Sequence, residues 1–212
     1  MKPYKSLLFC LRYAAFWLAF FIVARILFLV FNLNATHALT MQSVWQIFRH
    51  GMIHDISVTA YILLIPFVWL AVTSFFHGKW IVQFLIVYTW IILLVVTVIV
   101  IIDVELYKYW GFRLDATPLL YIKQPKEMLA SVTAGIIVRQ ILLGILLYGS
   151  FLILFGKWIK PGNESYGKGG LAGLILYLLL APSLIIPARG GFGVATLNAG
   201  SVYFSKNPFS FS

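Results

Sequence analysis

Five long apolar runs, at 7–31, 56–76, 80–102, 132–155 and 170–187, constrain this chain more than any other feature. A bilayer's hydrocarbon core is about 30 Å thick, and an apolar helix of about 17–25 residues crosses it. All five runs fall in that range. The expected fold class is an all-α membrane protein: five transmembrane helices, plus short interfacial helices in the outer loops. Composition agrees, with 62% hydrophobic and only 10% charged residues, where soluble domains carry about 25% charged. A soluble core of this size has no room for so much apolar surface, so lipid must act as its solvent. The first run is not a secretory leader: it is too long, lacks a small-residue cleavage site, and carries Arg25 near its far end.

The net charge of +10 raises the question of nucleic acid. The bases are spread along the chain and mostly flank the apolar runs, forming no stripe that a phosphate backbone would require. Anionic lipid is the expected counter-charge. A single cysteine, Cys10, excludes an internal disulfide. Lysine and arginine near the span ends set orientation. With the N-terminus inside, Lys2, Lys5, Lys79, Lys157, Lys160 and Lys168 crowd into short inner segments against one acid, Glu164. The expected topology is N-in, with the polar stretches and the tail, residues 188–212, outside.

The connections differ in kind. "HGK" at 77–79 is a tight inner turn that makes spans two and three antiparallel neighbours. The glycine- and lysine-rich stretch 156–170 is a flexible inner loop. Residues 41–50 place Met41, Val44, Trp45, Ile47 and Phe48 largely on one helical face, as in a helix lying in the interface. Residues 103–130 form the longest segment between spans, with one or two short helices expected there.

Several residues invite chemistry. Arg25 and Arg139 lie inside spans, where a charge costs about 2.5–3.5 kcal/mol. Each stands six or seven residues from the outer end of its run, at matching depth. They either snorkel or pair with Asp103 or Glu105, or they share an outer-leaflet pocket for a lipid phosphate, which suits guanidinium geometry. Arg12 is close enough to the inner end to snorkel. His50 and His54 would share a helical face as metal ligands do, though Gly51 weakens a helix there and no third ligand is near in sequence. Asp55, just before span two, is placed to cap it. Tyr107, Tyr109 and Trp110 fit an interfacial aromatic belt. Arg113 and Asp115, two apart, face different partners or sit in a turn. "RGGFG" at 189–193 lacks the spacing and setting of a dinucleotide fingerprint and reads as a flexible exit from span five.

Three stretches, "HDISVTAYILLIPF", "DVELYKYWGFRLDATPLLYIKQPKEMLAS" and "ARGGFGVATLNAGSVYFSKNPF", carry a resemblance that extends over nearly the whole chain. Together they resemble the N-terminal membrane region of lipoteichoic acid synthase-like proteins of the sulfatase and alkaline phosphatase superfamily, Bacteroidetes type. The resemblance implies a bacterial inner-membrane protein whose C-terminus is periplasmic. It implies five membrane helices ahead of a sulfatase-like extracytoplasmic domain, which moves phosphoglycerol or phosphoethanolamine from a phospholipid. That domain would supply the threonine nucleophile and a divalent metal. No catalytic residue, metal ligand or cofactor is expected within this chain. The implied partners are membrane phospholipids and the extracytoplasmic domain, with no nucleic acid. Arg25 and Arg139 become candidates for holding the lipid headgroup, and Asp55, Asp103, Glu105, Arg113, Asp115 and Arg189 candidates for docking. The rival expectation is a small independent transporter or scaffold. Spans two, three and five lack the mid-span ionisable groups that a transport path normally uses.

Overall fold

A computed structural model describes residues 3–33, 36, 39–76, 78–111, 113, 133–159, 170–193 and 196–197. Asp115, most of the 103–130 stretch, the connection at 160–169 and the tail beyond 197 lie outside the described residues. Among those described, all regular structure is helical. Five helices are long and apolar enough to cross a membrane. They are α1 (Pro3–Phe31), α2 (Met41–Val72), α3 (Lys79–Trp110), α4 (Ala134–Trp158) and α5 (Gly170–Ser183), the last prolonged by a one-turn helix α6 (Ile185–Ala188). A 3-10 turn, Thr73–Phe75, closes α2 at the tight connection to α3.

Two helices run further than their apolar stretches. The 41–50 segment is helical as expected, but it continues without a break into span two. Gly51 does not interrupt it, and the helix starts at Thr40, whose hydroxyl accepts the Ser43 N–H at 3.2 Å. The capping role expected of Asp55 is thereby corrected, since that residue stands well inside α2. Likewise Asp103–Trp110 is not a loop but the last two turns of α3. At 1.5 Å rise, these 32-residue helices are about 48 Å long, well beyond an average hydrocarbon core. Their excess lies at the same end of the bundle, together with residues 25–31 of α1 and the start of α4. We call this the charged end.

Helix α1 is the centre of the packing and touches each of the other four. Its inward residues recur at helical spacing: Phe9, Tyr13, Phe16, Trp17, Phe20, Ala24 and Phe28 are all buried, while Leu7, Leu8, Leu11, Val23, Ile26 and Val30 are exposed. The division is by shape rather than polarity, with rings inside and aliphatic chains outside. That follows from the solvent: lipid tails are as apolar as leucine, so packing rather than water exclusion chooses the inner face. Phe16 meets Phe151 and Phe155 of α4 at centroid distances of 5.7 and 5.6 Å, and Phe20 meets Phe151 at 5.0 Å. Tyr13 shares a 2.7 Å hydrogen bond with Thr89 of α3 deep in the core.

The remaining contacts form two pairs, α2 with α5 and α3 with α4. Phe67 meets Tyr177 across the first pair. Spans two and three are neighbours as the tight turn requires, joined near that turn by Trp69 stacked on Phe84 at 4.1 Å. Tyr88 also donates its hydroxyl to the Ile62 carbonyl at 2.8 Å. Yet α2 packs more extensively on α5 than on α3. The "RGGFG" exit is a hydrogen-bonded turn. Gly190 and Gly191 take φ of 92° and 123°, which favours glycine, and their N–H groups bond to Pro187 and Ile186 carbonyls. Ser57 of α2 donates to the Ala188 carbonyl at 2.6 Å, fixing this exit against the charged end.

Candidate functional site

The charged end is organised around the last turns of α1. Phe28, Leu29, Ile47 of α2 and Val104 of α3 form a small buried cluster, with Phe31, Phe48 and Tyr107 packed against it. The α1 carbonyls there are satisfied locally: Asn32 Nδ2 donates to Phe28 O at 3.0 Å, and Thr36 Oγ1 to Leu29 O at 2.8 Å. Charged side chains converge on this apolar plug from three other helices.

Arg25 reaches α2, not α3. It donates from Nη1 to Asp55 Oδ2 at 2.6 Å and from Nη2 to Oδ1 at 3.1 Å, a two-pronged pair with both side chains 9% exposed. The guanidinium lies directly over Gly51, where a Cβ would overlap it. Its Cζ is also 5.9 Å from the Phe48 ring centroid. Gly51 thus has a packing role: one turn before Asp55, it leaves the space the arginine fills. Gly51→Ala is expected to lower thermal stability, because overpacking costs about 1–3 kcal/mol against about 1 kcal/mol from alanine's better helix propensity. With Arg25 and Asp55 both leucine, the same substitution is expected to become neutral or stabilising. Melting curves of the four variants in detergent measure both signs.

Arg113 turns back onto α3. Gly111, at φ 70°, ends that helix in the left-handed region and donates to Tyr107 O at 2.9 Å, which reverses the chain. Arg113 Nε and Nη2 then reach Asp103 Oδ2 at 2.9 and 2.7 Å, and its Cζ stands 4.0 Å from the Phe28 centroid. Arg139 of α4 donates from Nη2 to Glu105 Oε2 at 2.7 Å, where Gln140 Nε2 donates as well. The Arg139 side chain is 46% exposed. Its Cζ lies 4.9 Å from the Phe31 centroid, and Lys108 Nζ approaches the same ring to 3.9 Å.

Sequence reasoning offered two destinations for the arginines, and the structure assigns a carboxylate to each. Arg139 pairs with Glu105, as one alternative had it; Arg25 pairs with Asp55, which the sequence singled out only as a cap. The carboxylates Asp55, Asp103 and Glu105 are turned inward, while Arg113 and Arg139 remain partly accessible and Arg189 is exposed just after α6. Among the described residues, bases therefore dominate what this end exposes: Arg49, Lys108, Arg113, Arg139 and Arg189, against three inward-turned carboxylates. Lys108 and Phe31 were not singled out by the sequence, and their signal is a lysine one turn after Glu105 beside a helix ending in phenylalanine. His50 and His54 share α2, and among the described residues no three histidine, cysteine, aspartate or glutamate side chains gather as a metal site. Comparison with known proteins finds no family model, no curated protein and no solved structure that matches this chain.

Proposed function

We propose that this chain is the membrane anchor and lipid-presenting domain of a lipoteichoic acid synthase-like phosphotransferase. It holds a sulfatase-like catalytic domain at the outer face of a bacterial inner membrane. The observation that carries the reading is the asymmetry of the bundle. Away from the charged end, its apolar body carries no buried charged side chain among the described residues. One end, by contrast, is built up beyond membrane thickness and braced, among the described residues, by three arginine–carboxylate pairs. A transporter needs polar groups along its path; an anchor needs a rigid platform at one surface. The exit after α6, tied to that same end through Ser57, suits a domain that continues from the tail.

An enzyme acting on headgroups gains from being held where its donor lies. With the catalytic domain joined after the tail, transfer from bilayer phospholipid is expected to exceed that of the same domain added free by roughly 10²-fold or more. A reporter enzyme that works only outside the cytosol, fused after Ser212, is expected to be active. Activity of a cytosol-only reporter at that position would overturn the reading.

A further inference from the structure

We propose that the charged end holds one anionic glycerophospholipid, its phosphate between Lys108 and Arg139 over the Phe31 ring and one acyl chain along α4. This deepens the reading above and rests on it for placing the charged end at a bilayer surface. Three features converge there.

The first is charge. Lys108 and Arg139 share one aromatic ring, at 3.9 and 4.9 Å from its centroid, so the two cations stand at most about 8.8 Å apart. Arg139 meets Glu105 through Nη2 alone, and a guanidinium carries further N–H donors. No carboxylate among the described residues pairs with Lys108. Among the described residues, two cations meet one carboxylate at this spot, an excess of one positive charge that an anionic headgroup would balance.

The second is shape. Around and below Arg139 one face of α4 is an open apolar stripe, formed among the described residues by Gly135, Val138, Leu142, Leu143 and Leu146. From Arg139 to Leu146 the helix rises about 10 Å. One leaflet of a hydrocarbon core is about 15 Å deep. The stripe below the charge thus covers about the upper two thirds of a single acyl chain.

The third is the contrast with Arg25. That guanidinium is bonded to both oxygens of Asp55, 9% exposed, and closed over by Gly51. It belongs to the framework and has no part in this site. The pair of arginines expected to share a phosphate is replaced by Arg139 and a lysine.

The test uses the full chain in detergent, delipidated and then offered phosphatidylglycerol, phosphatidylcholine or inorganic phosphate, with bound lipid counted by native mass spectrometry. We expect one phosphatidylglycerol per chain, retained in preference to phosphatidylcholine. The Lys108→Gln, Arg139→Gln double variant is expected to lose affinity about 30-fold, the factor two bases command at a charged bilayer surface. Leu142→Trp, which puts a bulky ring on the exposed stripe and keeps both bases, is expected to cut lipid retention also. Arg12→Gln, at the far end, leaves it unchanged. Equal retention in wild type and the double variant, with unchanged melting, overturns the proposal. Full displacement of the lipid by inorganic phosphate, with no effect of Leu142→Trp, overturns it too by assigning the site to free phosphate. Because retention is read on the chain alone, a failure here leaves the anchor reading to its own reporter test.

Discussion

Arg25→Leu, with Asp55 left in place, is expected to destabilise the protein by about 3–5 kcal/mol, the cost of stranding one member of a buried ion pair. The carboxylate would remain between α1 and α2 with both its guanidinium hydrogen bonds removed, in a position where its side chain is 9% exposed. Water can reach it only by prying those helices apart. Asp55→Leu should cost a similar amount, since the arginine is then the stranded charge. The double leucine variant is expected to recover most of the loss, because two well-packed apolar groups carry no desolvation penalty. Arg25→Lys should fall between, since an ammonium group cannot bridge both carboxylate oxygens in the planar two-pronged way. Unfolding in mixed detergent, followed by tryptophan fluorescence, gives the four stabilities. A single leucine variant as stable as wild type would show that the pair has no structural weight.

Phe16→Ala is expected to cost about 3–5 kcal/mol, the range for deleting a fully buried ring. Phe16 is completely buried and bridges Trp17 on its own helix to Phe151 and Phe155 on α4. Helix α4 buries little else: among its described residues only Leu147, Phe151 and Phe155 are fully inside. The driving force in lipid is lost dispersion contact rather than exposure to water, because a lipid tail cannot enter the enclosed gap that the ring leaves. The loss should therefore appear as α4 separating from the bundle. Ile153→Ala, at 60% exposure on the same helix, trades one apolar contact with lipid for another and should stay within about 0.5 kcal/mol of wild type. Protease or labelling access to the α1–α4 seam distinguishes the two. Equal behaviour of both variants would mean that the aromatic seam does not hold α4.

The spans were legible because hydropathy and length answer a local question. A segment in lipid must satisfy its own backbone hydrogen bonds, so a sufficiently long apolar run has one conformation available. The same rule misplaced the helix ends. Residues 41–50 and 103–110 are polar enough to leave the bilayer, but nothing in polarity obliges a helix to stop there. Thr40 and Gly111, with their capping hydrogen bonds, are the true boundaries. Asp55 was misread for the same reason: an acid next to an apolar run resembles a cap until the run proves to begin 14 residues earlier.

What remained for the tertiary structure was lateral. Which helix sits at the centre, which face of α1 turns inward and which acid each arginine finds all depend on the shapes of neighbours. Between apolar helices in an apolar solvent, hydropathy carries no sign of them. Matching depth correctly brought Arg25 and Arg139 to one end of the bundle, since rise per residue is a property of a single helix. Their separation onto Asp55 and Glu105 came from the order of helices around α1 and from Gly51, whose missing side chain matters only once another helix lies across it.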